Sequence, residues 1–179
     1  EGDDYLNILR SEFRINNSIF NNVNADAFDS DFSKGEIENT AFRNIGNDGI
    51  DASGSEIDIK YVSMDSILDK GVSAGENSIL SLRNMNIFNS NIAIASKDRS
   101  KVEMRDIELI ENNIGITAFE KKSEFGPSSI EGQLVQMKNI NIPYLIEKNS
   151  FCRINDNVIE SNEKNLKELL YIKTDNIQQ

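Results

Sequence analysis

Ala27-Phe28-Asp29-Ser30, Gly49-Ile50-Asp51-Ala52, Gly71-Val72-Ser73-Ala74, Ala93-Ile94-Ala95-Ser96 and Gly115-Ile116-Thr117-Ala118 are five versions of one tetrapeptide, each 22 residues after the last. The first position is always small, the second always apolar and the fourth always small. Three columns that hold their chemistry through five repeats mark a repeat architecture, in which each unit buries its apolar face only by stacking on its neighbours.

A second set of columns follows in each unit. Ile37, Ile59, Leu82 and Met104 form one; Thr40, Val62, Met85 and Ile107 the next; Phe42, Met64, Ile87 and Leu109 the third. Ile15, Ser18 and Phe20 carry the pattern one unit towards the N-terminus. The distance from the first set shifts by one residue between units, and Gly75-Glu76-Asn77-Ser78 restores it. Turns vary while strands do not, as expected when stacked strands set the register.

Short alternations such as Ile57-Asp58-Ile59-Lys60 read as strands with one face inward. No repeat sustains a 3.6-residue period, so helical repeats are excluded. Gly, Asn, Asp and Ser sit at the junctions, where the chain turns sharply. A unit of 22 residues with two or three short strands describes a parallel β-helix rising about 4.8 Å per coil. The expected architecture is about six coils over residues 1–160, then a C-terminal cap over residues 161–179.

Gly46-Asn47-Asp48-Gly49-Ile50-Asp51, Asp69-Lys70-Gly71-Val72-Ser73 and Asn112-Asn113-Ile114-Gly115-Ile116 resemble the N-x-x-G-I turns of bacterial right-handed β-helix repeat proteins, a superfamily similar in fold to pectate lyases. The resemblance covers roughly residues 5 to 160. It implies a right-handed coil, as parallel crossovers usually have. It is weak for function, because the superfamily holds lyases, epimerases, hydrolases, adhesins and inert spacers.

Hydrophobic residues make up 38% of the chain, low enough to suggest disorder were it not for the period, and a thin solenoid has little core per residue. The net charge of -11 argues against nucleic acid, which needs a basic stripe, and against anionic membranes. Neutral glycans, cations and basic proteins fit it better. Histidine is absent, which removes His-based triads and His-ligated metals. The lone Cys152 has no partner for an internal disulfide. No long apolar run spans a membrane. A chain that begins at Glu1, with no N-terminal cap, reads as a segment joined to an N-terminal domain of the same protein.

Asparagines cluster near the turns, at Asn17, Asn22, Asn39, Asn44, Asn84, Asn89, Asn112 and Asn113. An internal ladder of stacked amides is favoured over a sugar-binding strip. After the fifth repeat, Glu120-Lys121-Lys122-Ser123-Glu124-Phe125-Gly126-Pro127-Ser128-Ser129 interrupts the period. With Ile146 taken as the next counterpart of Ile116, the excess is eight residues. From Asn162 to Ile172, the spacing of Leu166, Leu169 and Leu170 predicts a short amphipathic helix. The expectation is that it covers the apolar end of the stack.

Chemistry is sought on the outward positions of the Phe28 strand. Asp29 and Asp51 stack about 4.8 Å apart with Asp31 beside them, a candidate Ca²⁺ site. Lys97 is the candidate catalytic base, two coils beyond Asp51. Together they would run polysaccharide lyase or epimerase chemistry on a uronate polymer, removing a C5 proton without histidine. Asp51, Glu76, Asp98, Lys121, Lys122 and Phe119 are the ligand-binding candidates, with Phe119 expected outward in the Lys97 column. The bland alternative is a solvated acidic face that keeps the solenoid soluble. Weighed together, these features favour a non-catalytic module of a larger secreted or surface bacterial protein, a spacer or a carbohydrate-binding surface. The lyase or epimerase stands as the alternative.

Overall fold

The computed structural model describes residues 4–161 and 163–171. The first coil contains β1 (Asn7–Leu9), β2 (Glu12–Asn16) and β3 (Ile19–Val23). The second contains β4 (Phe28–Asp31), β5 (Lys34–Glu38) and β6 (Ala41–Ile45). From β7 (Ile50–Ser53) on, strands run through the corners: β8 is Glu56–Gly75, β9 Ile79–Lys97 and β10 Lys101–Ile110. Then come β11 (Ile114–Phe119), β12 (Ser129–Lys138), β13 (Ile142–Ile146), β14 (Phe151–Ile154), β15 (Asn157–Val158) and α1 (Leu166–Tyr171). The result is a β-solenoid of about seven turns, one more than the six expected.

The extra turn is built from β12 and β13. Ile116 pairs with Tyr144, and Thr117 with Leu145 28 residues on, so the interruption adds six residues rather than eight. Ile146 stands over Ala118, not over Ile116. The misreading arose because Tyr144, less apolar than Ile146, occupies the core column.

Every pairing between coils is parallel and follows the sequence columns. Phe28, Ile50, Val72, Ile94 and Ile116 stack in register, as do Ile15, Ile37, Ile59, Leu82 and Met104. These side chains fill one axial core, with Phe20 stacked on Phe42 at 4.8 Å between ring centres. The small residues before the apolar column mark a close approach. A Cβ on Gly49 would stand 2.7 Å from the Gly71 carbonyl oxygen, and one on Gly71 would stand as close to that of Ala93.

The asparagines have a different role from the one expected. Each coil turns through corners in the left-handed region, and Asn17, Asn22, Asn39, Asn44, Asn84 and Asn89 all have φ between 51° and 57° or at 50°. Asparagine tolerates that conformation better than other non-glycine residues. Most of these amides are exposed; Asn44 donates to Asn22 at 3.1 Å on the outside. Only Asn112 among the eight is buried, taking the Ser90 N–H and donating to the Ile87 carbonyl. The internal ladder is made of serines instead. Ser11 N–H donates to Ser33 Oγ at 3.0 Å, Ser33 N–H to Ser55 at 3.0 Å, Ser55 N–H to Ser78 at 3.1 Å, and Ser78 N–H to Ser100 at 3.1 Å.

The C-terminal end is covered by β14, which pairs with β12, by β15 folded back antiparallel on it, and by Ile159 against the core. The helix lies elsewhere. Leu166 packs with Ile92, Ala95, Ile114, Phe119 and Leu145, outward side chains on the flank of the later coils. The expected end cap is therefore a flank cover. Its apolar spacing was legible, but the surface it meets was not. The remainder of the expected cap, residues 172–179, lies outside the described residues.

Candidate functional site

The flank column beneath the helix changes chemistry along the axis. Asn7, Asp29, Asp51, Ser73, Ala95, Thr117 and Leu145 stand in register, polar in the early coils and largely apolar where α1 lies. A parallel column does the same at the preceding corner. Asp4 bridges Asp26, the next steps of 22 residues reach Asp48 and Lys70, and Lys70 pairs with Ile92, which pairs in turn with Ile114, and Ile114 with Ile142.

Where the two columns meet, charges are buried. Lys70 Nζ donates to Asp48 Oδ1 at 3.2 Å and is paired with Asp69, with only about 5% of its side chain exposed. Lys97 Nζ stands 3.7 Å from Asp51 Oδ1 and is equally buried. Lys121 Nζ lies 4.7 Å from the centre of the Tyr171 ring, and Lys70 Nζ 5.7 Å from it. Three carboxylates and three ammonium groups thus line a cleft of about 500 Å³, walled by Leu68, Ile92, Leu170 and Tyr171.

The fold does not require these charges. The same columns carry Ile92, Ile114 and Ala95 in later coils, and apolar residues replace buried ion pairs at little or no loss of stability. Protonation follows from burial set against pairing. Burial works most strongly of all against the Lys97 charge, but Asp51, Tyr171 and Asp48 together outweigh it and hold the ammonium above its ordinary value. Lys70 is raised in the same way, chiefly by Asp48. Burial pushes Asp48 up to about 7 against the pull of Lys70. Asp51 ends lowered, since Lys97 and its neighbours overcome the effect of burial. Lys121 is lowered by burial and by the nearby Lys97 and Lys70.

The sequence candidates divide. Lys97, Asp51 and Lys121 share the cleft. Asp29 and Asp51 are register neighbours, as expected, but Asp51 turns to Lys97 while Asn7 donates to Asp29 at 2.6 Å and to Asp31 at 3.4 Å. Among the described residues no group of three or more His, Cys, Asp or Glu side chains is gathered to hold a metal ion. Burial raises Asp29 to about 7, helped by Asp31 and Asp51. Asp98 is buried and accepts the N–H groups of Lys121 and Lys122 at 2.7 and 2.6 Å, which pins the start of the inserted loop. Lys122 is paired with Glu76. Phe119, expected to be exposed, is fully buried under α1.

Asp26, Asp48, Asp69, Lys70 and Tyr171 were missed. Asp4, Asp26, Asp48 and Lys70 recur every 22 residues, so the column was present in the sequence. Its inward turn at a corner was not. Glu147 was missed too: it accepts the Glu120 N–H at 2.7 Å and the Leu166 N–H at 2.9 Å, tying loop and helix to the last coil.

No helix among the described residues is long and apolar enough to cross a membrane. Comparisons with protein-family models, curated proteins and solved structures find no match to this chain.

Proposed function

We propose that this chain is a non-catalytic β-helix module, pectate-lyase-like in fold, of a larger secreted or surface bacterial protein, and that its flank serves as a carbohydrate-binding surface. One observation carries the reading. The groups that would do chemistry are spent on one another: Lys97 faces Asp51, Lys122 pairs with Glu76, and Asp98 holds two backbone N–H groups. A general base must be able to take a proton at working pH. An ammonium held above its ordinary value by a buried carboxylate does not. The cleft instead offers fixed donors and acceptors beside apolar walls, the composition of a small-ligand site.

The net charge of -11 supports a partner other than nucleic acid.

Two assays test the reading. Incubation with a panel of uronate polymers and Ca²⁺ should give no rise in ultraviolet absorbance from unsaturated products. A rise lost in Lys97→Met would replace the module with a lyase. A glycan array should show binding to polysaccharide, and a blank array would remove the carbohydrate part of the proposal.

A further inference from the structure

We propose that Lys121 is a nucleophilic amine that condenses reversibly with a small apolar aldehyde entering the cleft under α1. Three lysines line this cleft, and they differ in their company. Lys70 is paired with Asp48 and Asp69, and Lys97 faces Asp51, so the three carboxylates that line the cleft are all engaged. Lys121 has no carboxylate within ion-pair reach among the described residues; its Nζ lies 4.7 Å from the centre of the Tyr171 ring. It is also the one a ligand reaches, being half-buried where Lys70 and Lys97 are buried. Its main-chain N–H donates to the buried Asp98 at 2.7 Å, which fixes the residue at the cleft.

An amine attacks a carbonyl only as the free base, so a nucleophilic lysine needs surroundings that disfavour its charge. Burial is the first such influence on Lys121, and the ammonium groups of Lys97 and Lys70 add to it. Asp51 opposes them without reversing the balance, and the amine is held below its ordinary value. The Tyr171 ring face offers weaker compensation than a carboxylate would. Burial disfavours the Lys97 and Lys70 charges as well, yet Asp51 and Asp48, first among their neighbours, keep both raised. Those two lysines therefore stay charged where Lys121 loses its proton. A lysine desolvated beside other cations is a recognised way of freeing an amine for attack.

The step balances without any further reagent. The nitrogen lone pair attacks the carbonyl carbon, and a C–N bond forms as the π pair of the carbonyl moves to oxygen. The nitrogen then gives up its two protons, the oxygen takes them and leaves as water, and a C=N bond remains. A neutral imine leaves two ammonium groups in the cleft rather than three. Leu68, 71% exposed, with Leu170 and the Tyr171 ring, offers apolar surface for the body of the aldehyde. The cleft of about 500 Å³ is within the range of small-molecule sites. This chemistry needs no bound carbohydrate, and its failure would leave the module reading standing.

The test is treatment of the whole chain at neutral pH with limiting benzaldehyde and sodium cyanoborohydride, which reduces the C=N bond and fixes the adduct. Peptide mass spectrometry then reads the extent of modification at each lysine. Lys122 is the internal control: it is the next residue, its side chain is 42% exposed, and its hydrogen bond to Glu76 holds it above its ordinary value. Lys121 should be modified several-fold faster than Lys122, and its rate should level off at a lower pH. Equal or slower modification of Lys121, or levelling at the same pH, would overturn the proposal. In Glu76→Gln, where Lys122 also lacks that carboxylate, Lys121 should still lead; parity there would overturn the part given to the cleft. Lys121→Arg should abolish the preferred adduct and leave the other sites as they were, and the comparison of Lys121 with Lys122 in the unaltered chain decides even if that variant does not fold. Relative to Lys122, Lys121 should favour benzaldehyde over the polar glyceraldehyde, and the opposite preference would overturn the apolar ligand class.

Discussion

Asp48 holds Lys70, its counterpart one coil on, by both main chain and side chain: the Lys70 N–H donates to Asp48 Oδ1 at 2.9 Å, and the ammonium donates to the same oxygen at 3.2 Å. The two partners are not equally able to stand alone. Asp48, raised to about 7, can take a proton, whereas the Lys70 ammonium is held well above its ordinary value. Asp48→Ala should therefore cost about 2–3 kcal/mol by leaving the buried cation to Asp69 alone and orphaning the Lys70 N–H, and Lys70→Met distinctly less. Urea melts followed by circular dichroism measure both. Equal losses would mean that the pair does not divide its protonation in this way.

Asp29 should make the protein less stable as pH rises. Its carboxyl titrates at about 7 in the fold and at 3.8 when unperturbed. Between those values the folded chain keeps a proton that the unfolded chain has released. Stability from this group is thus fully present below about pH 4, falls as pH rises through 7, and is flat beyond. Asp48 slopes the same way, while Asp51, which is lowered, acts only below about pH 4. Asp29→Asn should raise the melting temperature at pH 8, leave it nearly unchanged at pH 4, and still accept from Asn7. A variant that melts lower at pH 8 would contradict the assignment.

The period of 22 residues made the strands, their inward columns and the parallel stacking legible, because burial of one face imposes a chemistry that repeats. Corners were not legible in the same way. Whether Asp48 or Lys70 faces in depends on how the backbone turns there, and apolar alternation is silent about it. The serine ladder did leave a trace, since Ser11, Ser33 and Ser55 are 22 apart and Ser78 and Ser100 continue them. Serine is so common in turns that its buried role could not be separated from its turn preference. The cleft depends on Tyr171 meeting Lys121, 50 positions earlier, and no repeat encodes that contact.

The ladder can be tested by comparing two of its members. Ser55 Oγ accepts the Ser33 N–H at 3.0 Å and donates to the Ser30 carbonyl at 2.8 Å, fully inside the coil. Ser11 is exposed and its hydroxyl donates only to the Leu9 carbonyl. Ser55→Ala should cost about 2 kcal/mol by stranding a buried N–H, and Ser11→Ala close to nothing. Thermal melts of the two variants decide it, and near-equal melting temperatures would place the ladder's contribution elsewhere.

Removal of the helix should loosen the flank and leave the stack standing. The end of the core is already covered by β15 and Ile159, whereas α1 shields Ile92, Ile114, Phe119 and Leu145. Leu166 is fully buried among them, so Leu166→Ala should cost about 2–3 kcal/mol, the lower part of the range for a buried leucine, because a short helix can settle into the space. A chain truncated after Ser161 should keep its sheet signal in circular dichroism and gain binding of a hydrophobic dye, as the flank opens over several coils. Loss of the sheet signal on truncation would mean that the helix closes the solenoid's end after all, with the hairpin of β14 and β15 insufficient to cover it.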